Sequence, residues 1–308
     1  MDLCIWDKCN NRCVMCTNPY PSWPAWDGSF DYDYNSLIGR LEKEKDRFLA
    51  GDSIYLTGGE PTIHPNFLEI IKYLESNFKK QTIKLLTNGR RFCYGDFAKD
   101  FLNINPNTEI DVSLHGHDRA SHDGIVGIRG GFKQAFEGIG NLLKNKKNSQ
   151  IVGVRFVITK LSYKSISQFL EKIYKCYPDI DRVILIFWEA EAQAVENLEK
   201  IKIDFDKVHP YLDQAYDSVV RFKEFRLYHF PLCALHEKFW PHTWITLPDY
   251  EVFYPNFCNN CNYQKYCMGV QKTYKKFIGL KELGSVKKNI KIVKTGDPHH
   301  PIRSVLEL

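Results

Sequence analysis

The 308-residue chain carries 42 basic and 37 acidic residues, and 44% of its residues are hydrophobic. This composition is typical of a folded globular protein and excludes a disordered or low-complexity one. The net charge of only +5 makes nucleic acid an unexpected partner. No apolar run reaches the ~18 residues that a membrane span needs, so we expect a cytoplasmic protein without a membrane partner.

Short apolar runs alternate with amphipathic segments from the first residues onward. Runs of four to eight residues between polar turns are typical of buried parallel strands, and six of them occur, at residues 3–6, 53–56, 82–86, 110–114, 151–158 and 182–188. Apolar residues at three- and four-residue spacing predict helices between or after them, at residues 35–49, 64–78, 130–144, 165–177 and 205–222.

This alternation predicts an α/β fold. Six strand–helix units do not complete an eight-stranded barrel, so we expect a partial (β/α)6 barrel or an open sheet with functional groups at the carboxyl ends of the strands. The alternation stops near residue 228, and the chain then becomes rich in Cys, Pro and aromatic residues. We therefore predict a barrel over residues 1–227 and a small Cys-rich module with a basic tail over residues 228–308.

Ten cysteines are an even number, which would suit five disulfides in a secreted protein. The chain has no signal-peptide pattern, and reducing cytosol keeps thiols free. Seven of the cysteines also fall into two groups, one near each end of the sequence. Two metal sites explain this grouping better than five disulfides.

The first group reads CNNRCVMC, with Cys9, Cys13 and Cys16 in the loop after the first strand. Thiolates suit iron–sulfur clusters or zinc. Closed zinc sites normally use pairs of cysteines two residues apart and a fourth ligand. Three cysteines on a [4Fe–4S] cluster leave one iron open to a further ligand.

This triplet resembles the signature of the radical S-adenosylmethionine (SAM) superfamily. TGGEP, at Thr57, Gly58, Gly59, Glu60 and Pro61, ends the second strand and resembles the family segment that holds the SAM amino group. The resemblance implies a SAM-chelating [4Fe–4S] cluster, reductive cleavage of SAM to a 5′-deoxyadenosyl radical, and hydrogen abstraction from a substrate. We expect valine at either glycine to block SAM binding while the cluster stays intact.

Further strand ends match the places where this family binds SAM and substrate. Thr87 and Asn88 end the third strand, and Ser113 and His115 end the fourth; each could bind a hydroxyl or simply cap a turn. Arg155 on the fifth strand could pair with the SAM carboxylate or form an ion pair inside the barrel or at the surface. Met15 stands where the family usually has an aromatic residue and could pack on adenine.

The second group comprises Cys233, Cys258, Cys261 and Cys267. Four thiolates could hold zinc or a cluster, and spacing alone does not decide between them. The pattern resembles the SPASM or twitch modules that hold an auxiliary [4Fe–4S] cluster. Together with residues 122–144, it resembles in particular the maturases of His-Xaa-Ser peptides.

Two cysteines could instead serve as hydrogen-atom donors, as a radical epimerase requires. Cys93, after the third strand, and Cys233 are the candidates, although free cysteines are usually buried core residues. Three histidines follow the fourth strand, but their spacing fits no usual zinc set. We expect them to be solvated loop residues.

The resemblance favours crosslinking, oxidation or epimerisation of a ribosomally made peptide. The alternatives are a small-molecule substrate in cofactor or metabolite synthesis and, in another class, a zinc-binding or electron-transfer protein; TGGEP argues against the latter. A flavodoxin- or ferredoxin-type reductant is implied. The sequence begins at its first strand, so we expect a separate protein, or the eight lysines of residues 272–294, to recognise a leader peptide.

Overall fold

The computed structural model describes residues 1–18 and 31–306. Its main element is a parallel sheet in which neighbours in space are neighbours in sequence, in the order β1 to β8. All six predicted strands belong to it. The strands span Asp2–Trp6, Ser53–Gly58, Thr82–Thr87, Thr108–Ser113, Ile151–Ile158, Arg182–Phe187, Phe225–Tyr228 and Thr243–Trp244.

Two of these strands, β7 and β8, were not predicted. They have four and two residues, which is too short for an apolar run to stand out in the sequence. Within the described residues β1 and β8 each have one sheet neighbour and do not pair with each other. The sheet is therefore an open barrel, as the partial (β/α)6 prediction requires, with two short strands added at its far edge.

Helices follow nearly every strand, and the five predicted helical segments are confirmed. Helices α1 to α12 span Tyr34–Lys43, Lys45–Leu49, Phe67–Asn77, Gly95–Ile104, Arg119–Val126, Gly131–Asn145, Ile166–Cys176, Gln193–Glu196, Leu198–Ile201, Phe205–Gln214, Tyr216–Val219 and Lys272–Phe277. The predicted segments 35–49 and 205–222 are each divided into two helices, and α4, α5, α8, α9 and α12 were not predicted.

Apolar helix faces pack on the outside of the sheet. Helix α7 buries Ile166, Phe169, Leu170 and Ile173, whose spacing places them on one face. The ring of Phe169 lies 4.5 Å from that of Phe156 on β5. Each fully buried side chain of this kind contributes about 1.5–3 kcal/mol, so the face, more than intrinsic propensity, holds the helix in place.

A network of buried ion pairs lies at the amino end of the barrel. Near the start of the strands, Arg182 is 2% exposed and lies 2.9 Å from Glu109 and 3.2 Å from Asp111. A buried guanidinium needs such partners because an unpaired buried charge is costly. This network closes the amino end, and the space for a ligand lies at the carboxyl ends of the strands.

The C-terminal region adds two small antiparallel pairs. These are β9 with β10, Val252–Phe253 and Val270–Gln271, and β11 with β12, Lys291–Lys294 and Ile302–Leu306. The sheet continues past residue 228 through β8, and the division at residues 227 and 228 stays a prediction. Residues 19–30 and 307–308, which the two predicted domains include, lie outside the described part.

Aromatic packing joins the C-terminal region to the barrel. Tyr274 of α12 lies 4.5 Å from Phe205 between ring centroids, and Phe205 lies 4.1 Å from Phe187 at the end of β6. The Tyr274 hydroxyl also accepts a hydrogen bond from the Phe205 N–H at 3.2 Å. Among the described residues, every helix is too short or too polar to traverse a lipid bilayer.

Candidate active site at the carboxyl ends of the strands

The three cysteines of the first group lie in the loop that follows β1. Cys9, Cys13 and Cys16 line one small cavity, and Gly59 lies at its side. The backbone N–H of Asn11 points at Cys9 Sγ from 3.3 Å. The loop therefore presents three sulfur atoms to one shared space.

Helix α5 holds the middle of this loop. The N–H of Arg12 donates to the carbonyl of Val126 at 2.8 Å, and the N–H of Val14 donates to that of Ile125 at 3.0 Å. These two bonds act like a short strand pairing between the loop and the end of the helix. They fix the loop on both sides of Cys13.

Arg90, directly after β3, holds the beginning of the loop. Its guanidinium donates to the carbonyl of Asn10 and, at 2.9 Å, to the side-chain oxygen of Asn11. Its Nε donates to Gln134 of α6 at 2.7 Å. Because the loop has no regular structure of its own, these bonds from distant elements position its cysteines.

The two glycines of TGGEP allow β2 to pack against the chain leaving β1. A Cβ on Gly58, whose φ is +127°, would lie 2.2 Å from the carbonyl oxygen of Trp6, and a Cβ on Gly59 would lie 2.3 Å from that of Lys8. Both contacts are with the segment that leads into the cysteine loop. Valine at either position would therefore displace that loop too, contrary to our expectation that the cluster stays intact.

Glu60 is a buried carboxylate that accepts four hydrogen bonds. They come from the N–H and the hydroxyl of Thr62 at 3.1 and 2.6 Å, from the Thr87 hydroxyl at 2.6 Å and from the Asn88 N–H at 2.6 Å. Burial raises the pKa of the Glu60 carboxyl while these donors lower it. The carboxylate thus joins the ends of β2 and β3.

Asn88 connects this network to the cysteine loop. Its side-chain amide donates to Asn10 at 2.6 Å and lies 4.0 Å from Cys9 Sγ. The predicted roles of Thr87 and Asn88 in binding SAM hydroxyls stay predictions. The bonds that the structure shows are internal and tie two strand ends to the loop.

One cavity of about 390 Å³ extends from the cysteines across the strand ends, and its volume lies within the range of ligand pockets. The structure brings nearly all of the predicted SAM-binding residues to its wall. Those residues are Met15, Thr57, Gly58, Gly59, Glu60, Thr87, Asn88, Ser113, His115 and Arg155. Pro61 is buried instead at the start of the 3-10 turn Pro61–Ile63.

His115 and His122 are buried, which corrects the expectation of solvated loop histidines. His115 is 4% exposed and accepts a hydrogen bond at Nδ1 from the Val157 N–H at 3.2 Å. Its own backbone N–H donates to His122 Nδ1 at 3.0 Å. Burial lowers the pKa of His115 well below its usual value, so the ring is neutral with its proton on Nε2. It can donate that proton in a hydrogen bond to an acceptor in the cavity.

Arg155 makes no ion pair or side-chain hydrogen bond with any residue that the structure describes, although it lines the cavity. The predicted alternative, an ion pair inside the barrel or at the surface, is thus not present within the described residues. A guanidinium facing a cavity without a partner suits a carboxylate ligand, which it can bind through two parallel bonds. The assignment to the SAM carboxylate stays a prediction.

Glu189 and His229 also line the cavity, and sequence reasoning missed both. His229 Nδ1 lies 3.1 Å from the carbonyl of Phe187 and 3.3 Å from a Glu189 oxygen. His229 has a φ of +69°, a strained backbone for a residue other than glycine. The signal that could have found them is position, because each residue follows a strand of the sheet by one or two residues.

Glu189 in the cavity wall has two further carboxyl groups nearby. Burial raises the pKa of Glu189 to about 7, against the effect of the nearby Arg155. Glu191 and Glu251 lie close enough to repel each other and Glu189, and the pKa of each is also raised, chiefly by burial. Glu251 comes from the C-terminal region, so that region contributes to the electrostatics of the cavity.

The first group of cysteines fits an iron–sulfur cluster. Burial raises the pKa of Cys9 to about 11 and also raises the pKa of Cys13 and Cys16, so the free thiols are protonated and metal binding must release these protons. A single zinc ion holds its sulfur ligands within about 3.8 Å of one another. Among the described residues, no three cysteine sulfurs lie within 4.8 Å of one another, which suits the larger cluster better.

The second group also converges. Cys233, Cys258, Cys261 and Cys267 line a cavity of about 20 Å³, and all ten cysteines are free. The N–H groups of Leu232 and Gly269 point at Cys267 Sγ from 3.3 and 3.4 Å, while burial raises the pKa of Cys267 to about 12. Here too, no three described cysteine sulfurs lie within 4.8 Å of one another, which favours a cluster over a single zinc ion.

The two hydrogen-donor candidates lie outside the large cavity. Cys93 ends the 3-10 turn Arg90–Cys93, and Cys233 lies with the other three cysteines of the second group. Neither is part of the wall of the large cavity. A direct hydrogen-donor role for either cysteine therefore gains no support from this geometry and stays a prediction.

Comparison with known proteins identifies the domain that contains the first site. The sequence model of the Radical SAM superfamily matches residues 3–173. This stretch covers more than half of the chain and includes the cysteine loop, TGGEP, β3, β4 and Arg155.

Curated relatives match a shorter stretch. The GTP 3′,8-cyclase of Pectobacterium atrosepticum is 30% identical over 141 residues, which is 44% of this chain and 40% of the relative. The enzyme of the same name from Microcystis aeruginosa is 32% identical over 124 residues, 40% of this chain and 36% of the relative. The similarity thus spans about two-fifths of the length of these relatives.

Solved structures share the fold at low identity. SuiB of Streptococcus suis bound to the precursor peptide SuiA has a TM-score of 0.54 and 18% identity, over 73% of this chain and 48% of SuiB. The structure of anSMEcpe with bound AdoMet has the same TM-score and identity, over 73% of this chain and 61% of that one. At this identity the likeness concerns the fold alone.

Proposed function

This chain belongs to the radical SAM superfamily, and we propose that it modifies a ribosomally made peptide with the help of a second, auxiliary cluster. When bound, the [4Fe–4S] cluster with SAM on its open iron supplies the one-electron chemistry of the family, which releases a 5′-deoxyadenosyl radical that takes hydrogen from the substrate. In this proposal Cys9, Cys13 and Cys16 hold that cluster. The chain's own contribution is to bind, orient and exclude water.

The charge of the large cavity carries the choice of a peptide over a nucleotide. Among the described residues of its wall, Arg155 is the only Lys or Arg, whereas Asp2, Glu60 and Glu189 bring carboxyl groups. Residues 19–30 contain no Lys or Arg either. A triphosphate would meet this acidic wall without cations to neutralise it, while a neutral or basic peptide side chain would not.

The residues of the wall have distinct roles in this proposal. Arg155 pairs with the SAM carboxylate, and backbone carbonyls at Gly58 and Gly59 accept from its amino group. The His115 Nε2–H donates to a ribose or substrate oxygen, and the Met15 thioether packs on adenine. All five of these residues line the cavity.

Glu189 suits the exchange of a proton with the substrate. Its pKa near 7 lies where a side chain can take up and release a proton at neutral pH. Peptide oxidation and crosslinking both leave a proton to be removed after hydrogen abstraction, and His229 beside Glu189 keeps the carboxyl oriented.

The second group of cysteines holds the auxiliary cluster in this proposal. Four convergent thiolates leave no open iron if all of them bind. Such a cluster can accept or pass on an electron without binding substrate. The aromatic contacts between Tyr274, Phe205 and Phe187 connect this region to the end of β6, next to the large cavity.

A small-molecule substrate is the second candidate. The observation in its favour is the 30% identity to a GTP 3′,8-cyclase over 141 residues, which is 44% of this chain. The acidic wall argues against GTP itself. GTP is nevertheless the small molecule that a test must include.

The test is anaerobic reconstitution followed by reduction with dithionite in the presence of SAM. We expect about eight irons per chain and formation of 5′-deoxyadenosine, increased by a short peptide encoded beside the gene, with a mass change in that peptide. The Cys9→Ala/Cys13→Ala/Cys16→Ala variant is the control. It should produce no 5′-deoxyadenosine and no mass change in the peptide. An increase with GTP, and none with any such peptide, would overturn the peptide proposal in favour of the small molecule.

A further inference from the structure

A third group of metal-binding side chains lies outside both cysteine sites. His209 and Asp213 are one turn apart on the same face of α10, and His236 comes from the segment between β7 and β8. One ligand atom from each of the three residues lies within 4.8 Å of the others. Neither the sequence analysis nor the proposed function uses these residues.

The distances match those around a single metal ion. His209 Nδ1 lies 3.4 Å from Asp213 Oδ2, and His236 Nε2 lies 3.1 Å from the same oxygen. A tetrahedral zinc ion with nitrogen and oxygen ligands at about 2.0–2.1 Å separates its ligand atoms by about 3.3 Å. Both measured distances lie close to this value.

Hydrogen bonding does not account for the arrangement. Within the described residues neither imidazole forms a hydrogen bond with Asp213, although both lie close to its Oδ2. A neutral imidazole has a lone pair available for a metal, whereas a protonated imidazole has none.

Lys238 lies beside Asp213, and its position is compatible with a metal ion. Its ammonium lies 2.9 Å from Asp213 Oδ1, the carboxylate oxygen that does not face the two imidazoles. Carboxylates that bind a metal commonly have a second partner of this kind on their other oxygen. Lys238 therefore orients the carboxylate and leaves Oδ2 for the ion.

We propose that His209, Asp213 and His236 bind one divalent transition-metal ion of the zinc class, with a fourth position open to water. Two imidazoles and one carboxylate are an established donor set for such ions. The ion joins α10 to the segment that follows Cys233. It thereby connects the barrel to the region that carries the second cysteine group.

Zinc binding to the fully reconstituted protein tests this proposal. After removal of loosely bound metal, Zn²⁺ is titrated anaerobically, and zinc, iron and Tm are measured on the same samples. We expect about one added zinc per chain with unchanged iron, and a Tm higher by a few degrees at a hundredfold excess over Kd.

The test variant is His236→Ala, and the matched control is His117→Ala. His236 is 54% exposed, so its removal leaves the fold intact, whereas His117 also lies 3.4 Å from an aspartate, Asp118, but belongs to no such group of three. Loss of the added zinc and of the Tm rise in His236→Ala alone supports the site. Equal zinc binding by the wild type and His236→Ala, or no zinc beyond the background, overturns it.

Neither result depends on SAM cleavage or on a peptide substrate. Zinc that replaced iron in a cysteine site would appear as a fall in iron in the wild type and in both variants alike. That outcome also counts against the proposed site.

Discussion

The two cysteine groups differ in how they are built. The first is a loop of eight residues, from Cys9 to Cys16, held by hydrogen bonds to the end of α5 and from Asn88 and Arg90 after β3, and it opens into a cavity of about 390 Å³. The second gathers four cysteines from residues 233 to 267 around about 20 Å³, among 3-10 turns and strands of two residues.

This difference indicates which cysteine site has room for a further ligand. Three thiolates beside a large cavity leave both an open coordination position and the room to use it. Four thiolates around a small cavity leave neither. In our proposal the same residue type thus serves substrate chemistry in one region and electron transfer or stability in the other.

The largest effect should come from removing one cysteine of each group. We expect Cys13→Ser to lose about four irons and to reduce 5′-deoxyadenosine to background, because a cluster with two thiolates cannot keep its open iron positioned for SAM. Cys258→Ser should also lose about four irons but retain SAM binding and some SAM cleavage. Iron analysis and a deoxyadenosine assay check both variants, and equal loss of SAM binding in the two would abolish the distinction between the sites.

Glu60→Gln should be the next most damaging change. The glutamine amide would direct a donor at groups that are themselves donors, from Thr62, Thr87 and Asn88. We expect a loss of about 2–3 kcal/mol in the free energy of unfolding and weaker binding of both the cluster and SAM.

Denaturation of the apoprotein measures the change in the free energy of unfolding that we expect for Glu60→Gln. Glu69→Gln, at an exposed position on α3, is the matched control and should change little. Wild-type stability in Glu60→Gln would show that the buried carboxylate does not hold the strand ends together.

Arg155 tests the SAM side of the cavity. We expect Arg155→Gln to raise the Kd for SAM by about 10- to 100-fold, since a charged hydrogen bond contributes about 1.5–3 kcal/mol. Arg155→Lys should be intermediate because it keeps the charge and loses the two-pronged geometry.

The Kd for SAM is measured by equilibrium binding to the reconstituted protein, with the exposed Arg47→Gln variant as control. An unchanged Kd for SAM together with a raised KM for the substrate would mean that Arg155 binds the substrate and not SAM.

Glu189→Gln should change the pH dependence of the free energy of unfolding. Its pKa is raised from 4.5 to about 7 by burial, so between these pH values the folded state binds more protons than the unfolded state. Stability is therefore highest below about pH 4.5 and falls as the pH rises toward 7, by up to about 3 kcal/mol. Glu189→Gln should remove this fall.

Tm measured anaerobically without SAM at pH 5.5 and 8.0 would show this as a smaller difference for Glu189→Gln than for the wild type. The exposed Glu69→Gln should keep the wild-type difference. An identical pH dependence in all three proteins would mean that Glu189 ionises freely in the fold.

Much of the fold was predictable because each strand and helix leaves a local pattern. The buried strands from β1 to β6 are apolar runs, and α7 repeats its apolar residues every three or four positions. Strand β8 has two residues and depends entirely on its neighbour β7, so no local pattern could reveal it. Helix α5, whose end holds the cysteine loop, was missed for a related reason, since its sequence RASHDGIV has a weak apolar face.

The sequence by itself determined which chemistry is available, because thiol spacing and the glycines of TGGEP are local properties. Only the tertiary structure decided that Glu60 binds other parts of the chain and that Glu189 and His229 face the cavity. It also decided that His209, Asp213 and His236 meet. The physical reason is that hydrogen bonds and charge pairs join residues far apart in sequence, and their partners are known only once the strands lie side by side.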